Sequence, residues 1–264
     1  MNHERIKRID GYGDELYEAL RGRRTVAPLS EREPSLDIDD AYAISQRLLA
    51  RRLASGERII GKKIGVTSKV VQSALGVFQP DFGYLTDAML FENGAELPIS
   101  TQLIQPRAEG EIAFVLERDL CGPGVTHEDV LAATACVRPC FEIVDSRIAD
   151  WKIKIQDTIA DNASSGMLVL GDDAVSPRGI DFVTCGLVVW KNGEVLSTGA
   201  GAAALGSPLA CVAWLANTLG SRGVSLLAGE IILSGSLVPL EPVRPGDQME
   251  LKIGAIGSAR LRFG

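Results

Sequence analysis

Histidine is nearly missing from this chain: there are two, His3 and His127, in 264 residues. That scarcity removes most histidine-based zinc sites and most catalytic triads, which need an imidazole. The five cysteines (Cys121, Cys136, Cys140, Cys185, Cys211) are odd in number and lack C-x-x-C spacing, a reduced, cytoplasmic pattern rather than a disulfide framework. Positive charge is short as well. A net charge of −7 argues against a nucleic-acid binder, which carries a basic stripe for phosphates. No apolar run is expected to approach the roughly 20 residues that span a bilayer, so no membrane partner is expected. The opening MNHERIKRIDGYGDELYEAL lacks the apolar core of a signal peptide. Repeats and low-complexity tracts are missing too. What is present, 46% hydrophobic and 23% charged residues, suits an ordinary globular fold.

Three acids stand out. Glu109 and Glu111 lie one residue apart in IQPRAEGEIAFVLERD, and Glu142 follows in PCFEIVDS. The apolar run Ile112–Leu116 suits a strand, on which residues i and i+2 share a face. Glu109 and Glu111 would then stand side by side and raise each other's pKa. A divalent cation would relieve that repulsion, and carboxylate oxygens suit Mg²⁺, Mn²⁺ or Ca²⁺. The plain alternative is a solvated acidic face. Glu142 weighs against it, because Phe141, Ile143 and Val144 flank it and an unpartnered buried carboxylate is costly.

Periodicity divides the chain. Residues 1–58 read as a small helical N-terminal region: an amphipathic piece over Asp14–Leu20, a loop over Pro28–Pro34, and a helix from Ser35 or Asp37 with Ala41, Ile44, Leu48, Leu49 and Leu53 at helical spacing and Gly56 as its stop. Residues 59–264 read as a β-rich core. Strands are predicted at Ile112–Leu116, Phe141–Val144, Met167–Leu170, Leu187–Trp190, Ile231–Leu233, Met249–Ile253 and Ala259–Phe263. Asn192-Gly193 predicts a hairpin and Arg244-Pro245-Gly246-Asp247 a turn. Helices are predicted from Thr126, with Asp129 completing a capping box, and from Ser207, with Pro208 at the first position and Gly220 at the end. The fold class is α+β.

Other segments offer chemistry. In GKKIGVT, Lys62 and Lys63 point to opposite faces of an extended segment. Both could be surface residues, or one could turn inward to meet a substrate anion or move a proton. Asp81 in QPDFG is a turn residue or a general base. The small polar cluster Ala160–Gly166 is a loop, or a place where backbone N–H groups approach a carboxylate. Gly199–Ala204 superficially matches a dinucleotide fingerprint, but no βαβ unit surrounds it and no acid follows at the required distance. A glycine-rich loop approaching a small ligand is the better reading.

The segments GKKIGVTS, LGVFQPDFGYLTDAM, IQPRAEGEIAF, EIVDSRIADWKIKIQDTIADNASSG, STGAGAAALGSP and ILSGSLVPL, taken in order from about Gly13 to Phe263, closely resemble the 2-hydroxypenta-2,4-dienoate hydratases of the fumarylacetoacetase superfamily. The resemblance implies a mixed β-roll core and one Mg²⁺ or Mn²⁺. It implies that Glu109, Glu111 and Glu142 are metal ligands and that Lys63 and Asp81 are the acid–base residues, with Lys63 lowered in pKa by the cation beside it. Asp161, Asn162 and Ser164 of the small polar cluster, Gly199 and Ser234 are the substrate-binding candidates. The implied reaction adds water to 2-hydroxypenta-2,4-dienoate to give 4-hydroxy-2-oxopentanoate, in meta-cleavage degradation of aromatics. A homo-oligomer and a complex with 4-oxalocrotonate decarboxylase are implied partners. That decarboxylase is itself the nearest rival activity. A C–C hydrolase needs a His–Glu pair, which His3 and His127 are poorly placed to supply.

Overall fold

Three helices precede the first strand, and strands interspersed with shorter helices follow from Ile59, in a computed structural model that describes residues 3–264. The leading helices are α1 (His3–Gly22), the single-turn α2 (Leu29–Arg32) and α3 (Ile38–Ala54). There follow β1 (Ile59–Gly65), α4 (Lys69–Leu75), β2 (Asp81–Thr86), β3 (Leu90–Phe91), β4 (Glu96–Leu97), α5 (Ile99–Gln102), β5 (Pro106–Leu116), α6 (His127–Ala133) and β6 (Thr134–Asp145). The chain closes with α7 (Ile155–Ala160), β7 (Ser165–Leu170), β8 (Gly186–Lys191), β9 (Glu194–Ala200), α8 (Pro208–Gly220), β10 (Ile231–Leu233), β11 (Glu241–Pro242), β12 (Gln248–Ile253) and β13 (Gly257–Phe263).

Local chemistry sets the boundaries. Asp37 caps α3 by accepting from the Asp40 amide at 2.7 Å, and Gly56 follows its end at φ 103°. Thr126 and Asp129 form the expected capping box on α6, and Ser207 caps α8 with Pro208 behind it. Asn192 and Gly193, both at positive φ, turn β8 into β9. Helix α1 is longer than the Asp14–Leu20 piece expected, because its polar first turns still place Ile9 against the core. Leu53, expected on the buried stripe of α3, is 37% exposed at the fraying end. Contrary to expectation, one stretch, Gly201–Gly220, is long and apolar enough to cross a membrane by length and composition. Within it α8 begins only at Pro208, and Leu209, Cys211, Val212, Leu215, Ala216 and Leu219 are buried in the core.

Two sheets make the frame. The first runs β2-β1-β10-β5-β6-β7-β3, with β11 also on β5; the second runs β4-β13-β12-β8-β9. Alternation on β5 separates two surfaces. One carries Gly110, Ile112 and Phe114, and Gly110 lies against Leu187 and Leu251 of the second sheet. The other carries Glu109, Glu111 and Ala113 and faces into the first sheet's curl. There Ala113, Cys140, Leu168, Leu170, Leu233, Leu85 and Met89 form a small closed apolar cluster. The first sheet is therefore a roll, with apolar packing continuing the face that bears the acids.

Candidate active site

Register brings the three acids together. Glu109 of β5 sits directly opposite Glu142 of β6, and Glu111 opposite Cys140. Cys140 and Glu142 share a face of β6, so all three carboxylates project from one surface of the β5–β6 ladder. One oxygen from each lies within 4.8 Å of the others. Glu111 is fully buried, Glu142 is 1% exposed, and Glu109 is half-buried. Glu111 Oε2 accepts from the Gly235 amide at 2.8 Å, which fixes its orientation.

Lysine completes the cluster. Lys63 of β1 is three strands from β6 in the sheet order, about 14 Å in a flat sheet, yet its Nζ lies 3.2 Å from Glu142 Oε1. Curling of the sheet closes that gap. Asp81 opens β2 opposite Gly65. A Cβ on Gly65 would overlap Asp81 Oδ1 and approach Lys63 Nζ, so only glycine lets these two strands carry both groups.

The electrostatics are unsettled. Burial pushes Glu109 up to about 7, with Glu142 adding to the rise. Burial, then Glu142 and Glu109, lift Glu111 well above its usual range. Glu142 is also raised by burial, with Lys63 pulling the other way. Burial opposes the charge on Lys63, but Glu142, Glu109, Asp81 and Glu111 outweigh it and raise its pKa. Four acids thus act on Lys63 in the direction opposite to the one expected from a neighbouring cation. Asp81 is raised by burial and neither of its oxygens has a hydrogen-bond partner of ordinary geometry. Glu111 Oε1 and both Glu142 oxygens are likewise without one. Three carboxylates short of hydrogen bonds, with oxygens of Glu109, Glu111 and Glu142 within 4.8 Å of one another, fit a hard divalent cation.

Lys63, Asp81 and Glu109 line a cavity of about 380 Å³, together with Thr158 and Ser164, while Glu111 and Glu142 sit behind that surface. A wider groove of about 710 Å³, lined by Trp190, Glu250, Arg260 and Arg262 on the exposed face of the second sheet, contains none of these residues. The acid–lysine cluster adjoins the smaller space.

The substrate-binding candidates divide. Ser164 lines the cavity, and its buried Oγ has no hydrogen-bond partner. Ser234 Oγ is also buried without a partner, one residue before the amide that holds Glu111, though it is not part of the lining. Asp161 and Asn162 do not line the cavity. Asp161 binds Arg147 through Nε at 2.5 Å and through the Arg147 amide at 2.8 Å. Asn162 bonds both backbone groups of Tyr84, at 2.8 and 2.9 Å. They brace the turn on which Ala163 and Ser164 reach the cavity; Asn162, Ala163 and Ser164 all have positive φ, near 50°. Gly199 is also behind the wall, where a Cβ would strike the carbonyl of the lining residue Leu237.

Sequence reasoning misses or misplaces four residues. Alternation puts Lys62 on an outer face if Lys63 turns inward, but Lys62 is 3% exposed and binds both oxygens of Glu230 at 2.6 Å. Both faces of β1 are covered, so alternation does not separate core from solvent there. Arg147, fully buried, ties the Asp161 turn to the Asp145 carbonyl at the end of β6. Thr158 and the cavity-lining Trp151 lie in the stretch SRIADWKIKIQDT, where the unusual density of charge between apolar residues is the available signal.

The chain belongs to the fumarylacetoacetate hydrolase family: residues 62–263 match that family's C-terminal domain. Among its relatives, the 2-hydroxypent-2,4-dienoate hydratase of Pseudomonas putida is 70% identical over 217 residues, covering 82% of this chain and 98% of that protein. The 2-hydroxyhexa-2,4-dienoate hydratase of Comamonas testosteroni is 56% identical, covering 97% of each. A solved structure of 4-oxalocrotonate decarboxylase from Pseudomonas putida G7, complexed with magnesium and adipate, superimposes with a TM-score of 0.94 at 35% identity over 98% of each chain.

Proposed function

We propose that this protein is a divalent-metal-dependent hydratase that converts 2-hydroxypenta-2,4-dienoate to 4-hydroxy-2-oxopentanoate. The observation that carries this reading is the convergence of Glu109, Glu111 and Glu142, reached from a cavity lined by Glu109, Lys63 and Asp81, in a chain whose close relatives are hydratases. The three glutamates would hold Mg²⁺ or Mn²⁺. When bound, such an ion supplies Lewis-acid stabilisation of negative charge on the oxygens of a 2-oxo acid.

The protein's own residues handle protons and water. Ketonisation moves the 2-hydroxyl proton off oxygen and places a proton on C5. Water then adds its oxygen to C4 of the conjugated enone and a proton to C3. Lys63, held 3.2 Å from Glu142 Oε1, suits a proton donor with a fixed position. Asp81, buried and raised in pKa, suits a group that accepts a proton from water. The unpartnered Ser164 hydroxyl suits a substrate oxygen. Asp161, Asn162 and Gly199 act on substrate through the turn and wall they support. The cytoplasmic setting, homo-oligomer and decarboxylase complex implied by the sequence belong to the same proposal. Light scattering of the purified protein, with and without the decarboxylase, tests the last two.

The decarboxylase reading draws on the 0.94 TM-score, but at 35% identity against 70% and 56% for the hydratases. Loss of dienol absorbance with and without EDTA, followed by identification of the product, tests the hydratase reading. It fails if the C5 dienoate persists with Mg²⁺ while 4-oxalocrotonate is decarboxylated.

A further inference from the structure

The cavity is chemically two-sided. Its inner end is charged and buried, with Lys63 and Asp81 at 3% and 1% exposure. Its outer end is built from apolar side chains: Val70, Val71 and Leu75 of α4, with Ile153 and Leu240 facing the same space. Val70 is 80% exposed and Val71 39% exposed, so α4 forms the rim. The helix is anchored in place. Val66 turns the chain out of β1 at φ 56°, a strained value for a β-branched residue. Gln72 Nε2 donates back to the Val66 carbonyl at 3.0 Å, Ser68 caps the helix, and the Thr67 carbonyl accepts from the Leu205 amide at 3.2 Å.

Resting on the hydratase reading, we propose that α4 is the specificity element of the site: Val70, Val71 and Leu75 accept a hydrogen or short alkyl group at the far end of a 2-oxo acid and reject a second carboxylate. Among the described lining residues the one cation is Lys63, already beside Glu142. Arg107 stacks on Trp151, 4.6 Å from its ring centroid, and is not part of the lining. A distal carboxylate would meet hydrocarbon without a partner. An added methylene would gain contact there, worth roughly a fourfold change in affinity.

Calorimetry on the Mg²⁺-loaded full chain tests this independently of turnover, using 2-oxopentanoate, 2-oxohexanoate and 2-oxoadipate as ligands. The expected order is 2-oxohexanoate roughly fourfold tighter than 2-oxopentanoate, with 2-oxoadipate weaker on the order of 100-fold. Val71→Arg and, separately, Val70→Arg place a cation on the rim of a short surface helix. At least one of them should narrow the gap between diacid and monoacid by about tenfold, while Val71→Leu preserves the order. Equal binding of 2-oxoadipate and 2-oxohexanoate by the unaltered protein overturns the proposal, because the distal group then reaches water past α4. So does an unchanged ratio in both arginine variants, or no binding of any of the three acids. Failure of the hydratase reading shows separately, as persistence of the C5 dienoate with Mg²⁺ while the monoacid preference stands.

Discussion

Arg147 and Lys63 are both buried cations beside carboxylates, and they are built on opposite plans. Arg147 donates to the Asp161 carboxylate and to the carbonyls of Asp145, Ser165 and Asp161, and Asp145 in turn accepts from the Ile104 and Gln105 amides. Charge and hydrogen bonding are matched there. Around Lys63, four acids share one ammonium group, which lies 3.2 Å from Glu142, and oxygens of Asp81, Glu111 and Glu142 make no hydrogen bond of ordinary geometry. A buried network that is satisfied fixes shape, whereas one left short of positive charge is ready to receive it. The difference sets a satisfied bracing network against an acid cluster short of positive charge within one roll.

Substitutions should break that contrast in opposite ways. Glu142→Gln should lower kcat/KM by about 10³-fold or more, about 4 kcal/mol of transition-state stabilisation, while leaving the metal-free Tm unchanged or higher because a like charge is removed. A large fall in metal-free Tm would mean that the acid cluster is structural. Asp81→Asn should reduce kcat by roughly 10²–10⁴-fold with the fold intact, checked by dienol absorbance alongside circular dichroism.

Arg147→Met should do the reverse. It strands Asp161 in the interior, a loss of about 3–5 kcal/mol, seen as a Tm lower by roughly 10 °C. Adding Asp161→Asn should recover much of that loss, and a double-mutant cycle with no coupling would sink the claim. Smaller again is the effect of the ion itself. Mg²⁺ at about 100 times its Kd should stabilise the protein by about 2.7 kcal/mol; an equal gain in Glu142→Gln would place the ion elsewhere. The smallest effect is Thr126→Ala, which removes the α6 cap and should cost about 1 kcal/mol by urea titration, with turnover unaffected.

Parts of the fold and site are legible in the residue order alone. A two-residue period places Glu109 and Glu111 on one face, and the apolar neighbours of Glu142 mark it as buried. Each of the seven predicted strands lies within an observed one. The rest depends on partners distant in sequence. Asp81 follows a proline and reads as a turn, yet Gly65 draws it into β2. Asp161 and Asn162 look like ligand contacts by composition, and only the fold shows Arg147 and Tyr84 occupying them. Lys62 defeats alternation because Glu230, 168 residues away, neutralises it inside. Helix α4 has seven residues and little periodicity to read; its place over the cavity depends on Val66 turning where a valine rarely does.

The rung that sets Glu109 against Glu142 also bears on how the chain reaches its native state. The β5–β6 ladder is the longest among the described residues. Two like charges meeting across an antiparallel rung oppose its closure, and with Lys63 the one ammonium among four acids, an added cation would ease it. Refolding should therefore accelerate with Mg²⁺ and lose that acceleration in Glu142→Gln; identical rates with and without the ion would show that closure proceeds unaided. On this view the ion acts as a nucleation template long before it meets a substrate.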